Sequence, residues 1–440
     1  MKIYTLIFLI IFLYKVGSAQ SVWDLTKCIN YSLENNISLK NGEIAREIQL
    51  VNYSQSRLNQ LPSISGNINA SENFGRTVDP ATNTYSDINY FNNSYGLNAS
   101  MVLFSGFVQL NRIAFERYNL IIETNKLAQQ KNKIVFSVID AYFRLQLNIG
   151  VYGVCKENLV LMQEQLNSLK RFINLGRKAE SDTYEFEAKL ATDSFLLVQQ
   201  AGNVEKAELA LKIAMNCPVK EIFMIDSLPP AIQSIPDTIK VSSLTVSAKK
   251  LMPELQITEN RLQAAKRNIS QIHGGFFPSI EIYAGWNTSY YKTSGMEAPI
   301  FRDQFKNHAG EYVGVSMNIP IFNRFSRIST LHIAKLNYDL SYNAHLETTI
   351  ALEREVNEAY IDWKTSQNEY LAAQKQLMKT NIAYQTAEKK MKIGQLNIIE
   401  FYIQKNELLS AKTELLKTNI QLAFKQKYIN FLMNGNWFDN

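Results

Sequence analysis

Four histidines (His273, His308, His332 and His345) and three cysteines (Cys28, Cys155 and Cys217) are the residues of this chain best suited to metal ligation, proton transfer or covalent chemistry. Their spacing supports none of these. A zinc hydrolase needs paired ligands one helical turn apart, as in His-Glu-x-x-His, and no two of these histidines stand that close. A serine nucleophile needs a Gly-x-Ser-x-Gly elbow, and a phosphate site needs a glycine-rich loop; neither motif occurs. No two cysteines are close-paired, so a disulfide framework is not expected, and the three thiols read as small buried hydrophobes. The sequence therefore predicts no catalytic residues, no metal and no cofactor. What it contains instead is architecture.

The second half of the chain is a diverged copy of the first. Phe104 answers to Phe322, Asn119 to Asn337, Val138 to Val356, Gly176 to Gly394, Leu190 to Leu408 and Met215-Asn216 to Met433-Asn434, each pair 218 apart. Upstream the offset is 216, as in Asn52 to Asn268 and Pro62-Ser63 to Pro278-Ser279. A duplicated unit this long is a structural module used twice.

One unit reads as follows. An opening helix runs from about Asp24 to Leu58 in the first copy, with a break allowed near Asn35-Asn36, and from about Pro253 to Ile272 in the second. Pro62 and Pro278 stop it, because proline lacks an N–H and disfavours helix in the residue before it. Two short strands follow, spanning 62–104 and 278–322 with their connecting loops. Ile64, Gly66, Ile68 and Ala70 alternate with polar residues, as do Tyr95, Leu97, Ala99, Met101 and Leu103. In the second copy Ile280, Ile282, Ala284 and Trp286 do the same, as do Val313, Val315, Met317 and Ile319. Period-two alternation puts one face in an apolar medium and the other in water. The loops between the strands, about 74–92 and 290–310, read as long, polar and irregular.

Each hairpin turns into a very long helix, 105–175 and 324–393, with Ser105 and Asn323 placed as N-caps. A run of about 70 residues makes a rod of roughly 100 Å, which needs a packed seam; Leu159, Met162, Leu166, Leu169 and Ile173 step by three and four, as in a coiled coil. Reversals at Gly176 and Gly394 lead into return helices, 181–216 and 397–433. Residues 217–250, with Pro218, Pro229, Pro230 and Pro236, read as a linker or equatorial belt, and 435–440 as a tail. The repeats are thus 20–216 and 251–434.

Residues 1–19 read as a secretory leader: Lys2, an apolar run from Ile3 to Leu13, and Gly17-Ser18-Ala19 before a cut at Gln20. No later stretch reads as apolar enough to span a bilayer as a helix. The formal net charge of +6 falls to +4 without Lys2 and Lys15, and no Lys/Arg-rich run occurs, so nucleic acid is not an expected partner. Four strands with one apolar face cannot close a membrane barrel, since about eight is the smallest closed size. Open sheet edges cannot sit in lipid. Several chains must share one barrel; two would give eight strands and three would give twelve.

The order and doubling of these features resemble the TolC family of outer-membrane efflux proteins, from about Trp23 to Asn434. The strand starts Leu-Pro-Ser-Ile and Phe-Pro-Ser-Ile, the strand-to-helix junctions Leu-Phe-Ser-Gly and Ile-Phe-Asn, and the glycine-centred tips carry the resemblance. It implies a mainly α fold with a small β part: long antiparallel coiled-coil helices, plus four strands contributing to a shared trimeric barrel. It implies a homotrimer in the cell outer membrane, in contact with outer-membrane lipid, with a long periplasmic portion. The expected function is the passive exit duct of a tripartite efflux or type I secretion system, working with a periplasmic adaptor (membrane fusion) protein and an inner-membrane transporter. The resemblance places adaptor contact at Gly176, Arg177, Gly394 and Gln395. It places a candidate tunnel gate at Glu400, six residues past Gly394, with Asp182 and Glu185 at the matching offsets in the first copy; Ile403 stands where a second acid is expected. The lipid-facing wall is expected at Tyr95, Leu97, Met101, Ile282, Trp286, Val313, Val315 and Met317. The other reading of the rods is a soluble periplasmic coiled-coil scaffold or binding protein.

Overall fold

The computed structural model describes residues 22–78, 83–87, 89–176, 179–221, 224–226, 239–295, 297 and 300–437. The leader expected over 1–19, and Arg177, lie outside the described residues. Helices are α1 (Leu25–Asn35), α2 (Ile37–Leu58), α3 (Val108–Asn174), α4 (Ser181–Met215), α5 (Val241–Leu251), α6 (Pro253–Gly274), α7 (Phe301–Asn307), α8 (Ser326–Lys392) and α9 (Ile398–Asn434). Strands are β1 (Val22–Trp23), β2 (Ser63–Asn73), β3 (Arg76–Val78), β4 (Tyr85–Asp87), β5 (Tyr90–Phe104), β6 (Met224–Ile225), β7 (Ser279–Thr293) and β8 (Gly310–Asn318). The fold is mostly helical. Element lengths run in parallel: α1 and α5 have 11 residues each, α2 and α6 have 22, α3 and α8 have 67, and α4 and α9 have 35 and 37.

The opening helix breaks where two asparagines invite it. Asn36 is extended (φ −70°, ψ 120°), ends α1 by donating its N–H to Ser32, and starts α2 by accepting the Ser38 N–H on its side chain at 2.9 Å. Three readings need correction. The segment 217–250 is not all linker: its last ten residues belong to α5, whose Leu244 and Ala248 are buried, and β6 pairs in parallel with β1. The strand-connecting loops hold structure, the β3–β4 hairpin in the first and α7 in the second. And α3 contains a stretch long and apolar enough to cross a bilayer by composition; half of it is buried in the protein, and it serves as core.

The chain forms two compact units. One comprises Met1–Glu43, Lys126–Leu255 and Thr348–Asn440. Its main core gathers Cys28, Val138, Ile139, Leu211, Met215, Leu244, Val356 and Ile429, from six helices. All three cysteines are free thiols; burial pushes Cys28 up to about 12 and raises Cys155 and Cys217.

The other unit, Ile44–Asn125 and Gln256–Glu347, contains the sheet. Its four strands run in the order β2-β5-β7-β8, every neighbour antiparallel. The register decides the faces. Leu97 stands opposite Gly66 and Trp286, Ala99 opposite Ile64 and Ala284, Met101 opposite Ile282, Val313 opposite Ala284, Val315 opposite Ile282 and Met317 opposite Ile280. Because side chains alternate, these residues share one face across all four strands. The other face is built mainly of Ser, Asn, Gly and Tyr, with Glu281 and Val102 opposite each other near one end. There Tyr312 lies over Gly285 and Tyr283 over Gly314, so close that a Cβ on either glycine would stand 2.5 Å from the ring. The Tyr312 hydroxyl donates to Asn98 at 2.9 Å, and the Asn98 amide donates to Asn67 at 3.0 Å, tying three strands together.

Helix α7 closes the stretch of β7 that extends past β8. Gln304, buried, accepts the Tyr291 N–H at 3.0 Å and donates to the Tyr291 carbonyl at 2.9 Å, replacing a neighbouring strand. Its Phe305 packs on Tyr95 and Trp286, so these two aromatics are partly covered by the protein itself.

At the strand-to-helix corners the chain turns through left-handed residues, Gly106 (φ 62°) and Phe107 (φ 63°) in one, Arg324 (φ 57°) and Phe325 (φ 60°) in the other. Edge-to-face pairs Phe104–Phe107 and Phe322–Phe325 hold the bends. The helices therefore start two residues later than the Ser105 and Asn323 caps imply; the backbone carbonyls of those residues accept the N–H groups of Val108 and Ser326. At Gly106 a Cβ would lie 2.1 Å from the Gly274 carbonyl oxygen. Gly106→Ala combines a left-handed penalty with a backbone clash, an expected loss of about 3 kcal/mol, measurable as a drop in unfolding temperature of the purified protein.

Candidate functional site at the helical reversals

Both reversals are made by backbone geometry that only glycine adopts without cost. Gly176 has φ 68° and Gly394 φ 77°, and a Cβ at either would touch nothing within 4 Å, so conformation and not crowding sets the requirement. Gly394 completes a Schellman end: its N–H donates to Met391 and the Gln395 N–H to Lys390, satisfying the last carbonyls of α8. Gly176 donates to Ile173 at 2.8 Å. Gln395 is exposed.

The carboxylates beyond the turns have different situations. Asn397 caps α9 by accepting the Glu400 N–H at 2.8 Å, and the Glu400 carboxylate accepts the Asn397 N–H at 3.4 Å, a reciprocal capping box. Glu400 is exposed, as is Ile403 three residues on. Asp182, in the first turn of α4, is half-buried, and Glu185 is exposed. The acid at each helix start also meets the positive end of the helix dipole. Among the described residues no group of His, Cys, Asp and Glu side chains is placed to hold a metal ion.

Behind the reversals, Met162, Leu166 and Leu169 of α3, Phe186 of α4, Tyr384 and Ala387 of α8 and Ile398, Phe401, Tyr402 and Leu408 of α9 form one apolar cluster. A polar group that sequence reasoning missed is set next to it. Asp193 of α4 and Lys405 of α9 are almost completely buried and meet at 2.6 Å. The Tyr402 hydroxyl donates to Asp193 Oδ1 at 3.2 Å and the Asn158 amide, from α3, at 3.3 Å. Three helices thus converge on one carboxylate. Burial lowers the proton affinity of Lys405 while its bond to Asp193 opposes that shift. Burial, reinforced by the Asp193 charge, pushes the Tyr402 phenol up to about 12, so it stays a donor at physiological pH. The Lys189 and Lys405 ammonium groups lie 4.8 and 5.3 Å from the Tyr402 ring centre. The missed signal was present: Asp193 follows Leu190 by three, and Lys405 follows Ile398 by seven, so a charge of each sign interrupts an apolar stripe.

Comparison with known proteins places the chain. The model of the outer membrane efflux protein family matches residues 28–216 and 244–435. The probable efflux pump outer membrane protein TtgC of Pseudomonas putida is 23% identical over 387 residues, 84% of this chain and 74% of that protein. The cation efflux system protein CusC of Escherichia coli K12 is 22% identical over 378 residues, 84% of this chain and 78% of its own. The crystal structure of CusC superimposes with a TM-score of 0.80 at 18% identity, covering 94% of this chain and 92% of that one. That of the VceC outer membrane protein of Vibrio cholerae gives 0.78 at 13%, covering 93% and 96%.

The buried pair generates a stability prediction. Asp193→Ala leaves the Lys405 ammonium buried without its partner, an expected loss of about 3–5 kcal/mol. The double change Asp193→Leu with Lys405→Met removes both charges and is expected to recover most of that loss in denaturant unfolding.

Proposed function

The chain belongs to the outer membrane efflux protein family, and from that premise we propose that three copies build a passive exit duct through the outer membrane and into the periplasm. The family is one of channels, not of enzymes. The observation that carries the reading is the sheet: one face is apolar from Ile64 to Met317, and β2 and β8 each have one edge without a partner strand among the described residues. Backbone N–H and C=O groups at such edges need partners within lipid. With β2 and β8 running antiparallel to one another, copies can join edge to edge and continue the alternation, and three close a twelve-stranded wall.

In this arrangement Leu97, Met101, Ile282, Val313, Val315 and Met317 face lipid. Tyr95 and Trp286 sit at the end of the apolar band under α7, and the Ser/Asn/Gly/Tyr face lines the lumen. The matching element lengths and the 216–218 offsets support an internal two-fold repeat. The α3–α4 and α8–α9 pairs act as antiparallel coiled coils, and their reversals at Gly176, Arg177, Gly394 and Gln395 meet a periplasmic adaptor that joins the duct to an inner-membrane transporter. The names of the relatives, efflux pump and cation efflux components, support such a place in an export machine. Glu400, with Asp182 and Glu185, narrows the far end of the tunnel.

Two measurements test this. The protein expressed with its leader is expected in the outer-membrane fraction and, after extraction, at the mass of a trimer by light scattering; a soluble monomer overturns the duct and favours a periplasmic scaffold. For the gate, Glu400→Gln keeps the capping box, which glutamine also satisfies, but removes the charge. It is expected to raise the conductance of the closed duct in planar bilayers by about two-fold, and unchanged conductance takes Glu400 out of the gate.

A further inference from the structure

The four strands of the main sheet carry four charged residues, Glu72, Glu281, Lys292 and Glu311. Register sorts them. Glu72, Lys292 and Glu311 share the apolar face and stand toward the strand ends away from the long helices. Glu281 alone is on the opposite face, the third residue of β7, at the end joined to α6. Every other position on that face is neutral, a Ser, Asn, Gly, Tyr, Thr or Val.

Little covers the carboxylate. Its cross-strand neighbours are Val102 and Ser316, both shorter than glutamate. Tyr283, the next residue on its own face, lies down over Gly314. No cation pairs with Glu281 among the described residues. Arg324 and Arg327 follow β8 at the corner into α8.

A lone glutamate on a wet face costs nothing and needs no function. Closing the sheet on itself changes its setting. Twelve strands about 4.8 Å apart and tilted by about 40° enclose a radius of about 12 Å. Three Glu281 side chains then stand at one level, each bringing its charge to about 8 Å from the axis, one Debye length at physiological ionic strength. At that distance three charges together enrich a monovalent cation on the axis about two- to threefold, and deplete an anion by about the same factor. Cargo with several positive charges gains more. Resting on the shared-barrel reading, we propose that Glu281 sets the charge preference of the barrel: a ring of three carboxylates in an otherwise neutral wall, admitting cationic cargo ahead of anionic cargo.

Charged thiol reagents read this field where it acts. The background has Cys28, Cys155 and Cys217 changed to Ala. Single reporters Ser316→Cys, beside Glu281, and Ser63→Cys, two strands away, are treated in native membranes with cationic and anionic thiosulfonates of matched size. Asn69→Cys, on the same face and level with Ser289, stands about 26 Å along the strands from Glu281 and supplies the reference. At low salt the cationic-to-anionic rate ratio at the first two reporters is expected to exceed the reference by about 5- to 10-fold. Glu281→Gln is expected to bring it down to the reference and Glu281→Asp to keep it. Raising the salt to about 1 M is expected to abolish it. Ser100→Cys, opposite Ser63 in register, repeats the reading if Ser63→Cys fails to assemble. Light scattering separates the failures. A trimer whose ratio ignores Glu281→Gln, or rises at Ser316→Cys alone, overturns the filter and leaves the duct standing. A monomer removes both.

Discussion

A sheet with one apolar face and two open edges cannot exist alone in hydrocarbon, because each unpaired backbone group at an edge needs a hydrogen-bond partner that lipid does not supply. Most of the structure is arranged around that constraint. The register gathers the apolar side chains of all four strands on a single face. On the other, tyrosines lie on glycines and a Tyr312–Asn98–Asn67 chain of hydrogen bonds ties strand to strand. Where β7 outruns β8, Gln304 supplies the missing donor and acceptor from its own side chain. The same need for partners remains at β2 and β8, whose outer edges have no partner strand among the described residues.

The helical part solves a different problem. Helices of 67 residues gain little from propensity alone and are held by packing along their length. Near the reversals that packing includes a buried ion pair, a costly way to join helices compared with apolar contact. What the pair adds is specificity of position: Asp193 accepts from Lys405, Tyr402 and Asn158 at once, and a shift of α9 along α4 would strand all of these groups. The turn glycines are needed for φ alone, and Glu400 is held by the capping box that starts α9. Several structural demands therefore fall on a few residues at this end of the helices.

Much of this was legible in one dimension. The family resemblance, the mainly helical fold with a small sheet and the outer-membrane location followed from motif order, alternation and the long proline-free runs, because such patterns depend only on residues near one another in sequence. The reversals at Gly176 and Gly394 were legible for the same reason: a left-handed residue at a helix end asks for glycine. Less legible were α5 and α7, short helices within proline-rich or polar stretches whose formation depends on what they pack against, Leu244 and Ala248 on the core in one case and Gln304 and Phe305 on β7 in the other.

What the sequence by itself determined is therefore local: which stretches are helix or strand, which strand face is apolar, and where the chain must turn. What only the tertiary structure decided is which residues from distant stretches meet. Strand register brought Leu97 beside Trp286, and helix packing brought Asp193 to Lys405 across more than two hundred residues. Pairing energies of this kind belong to contacts between elements, and no periodicity along a single element can encode the identity of its partner.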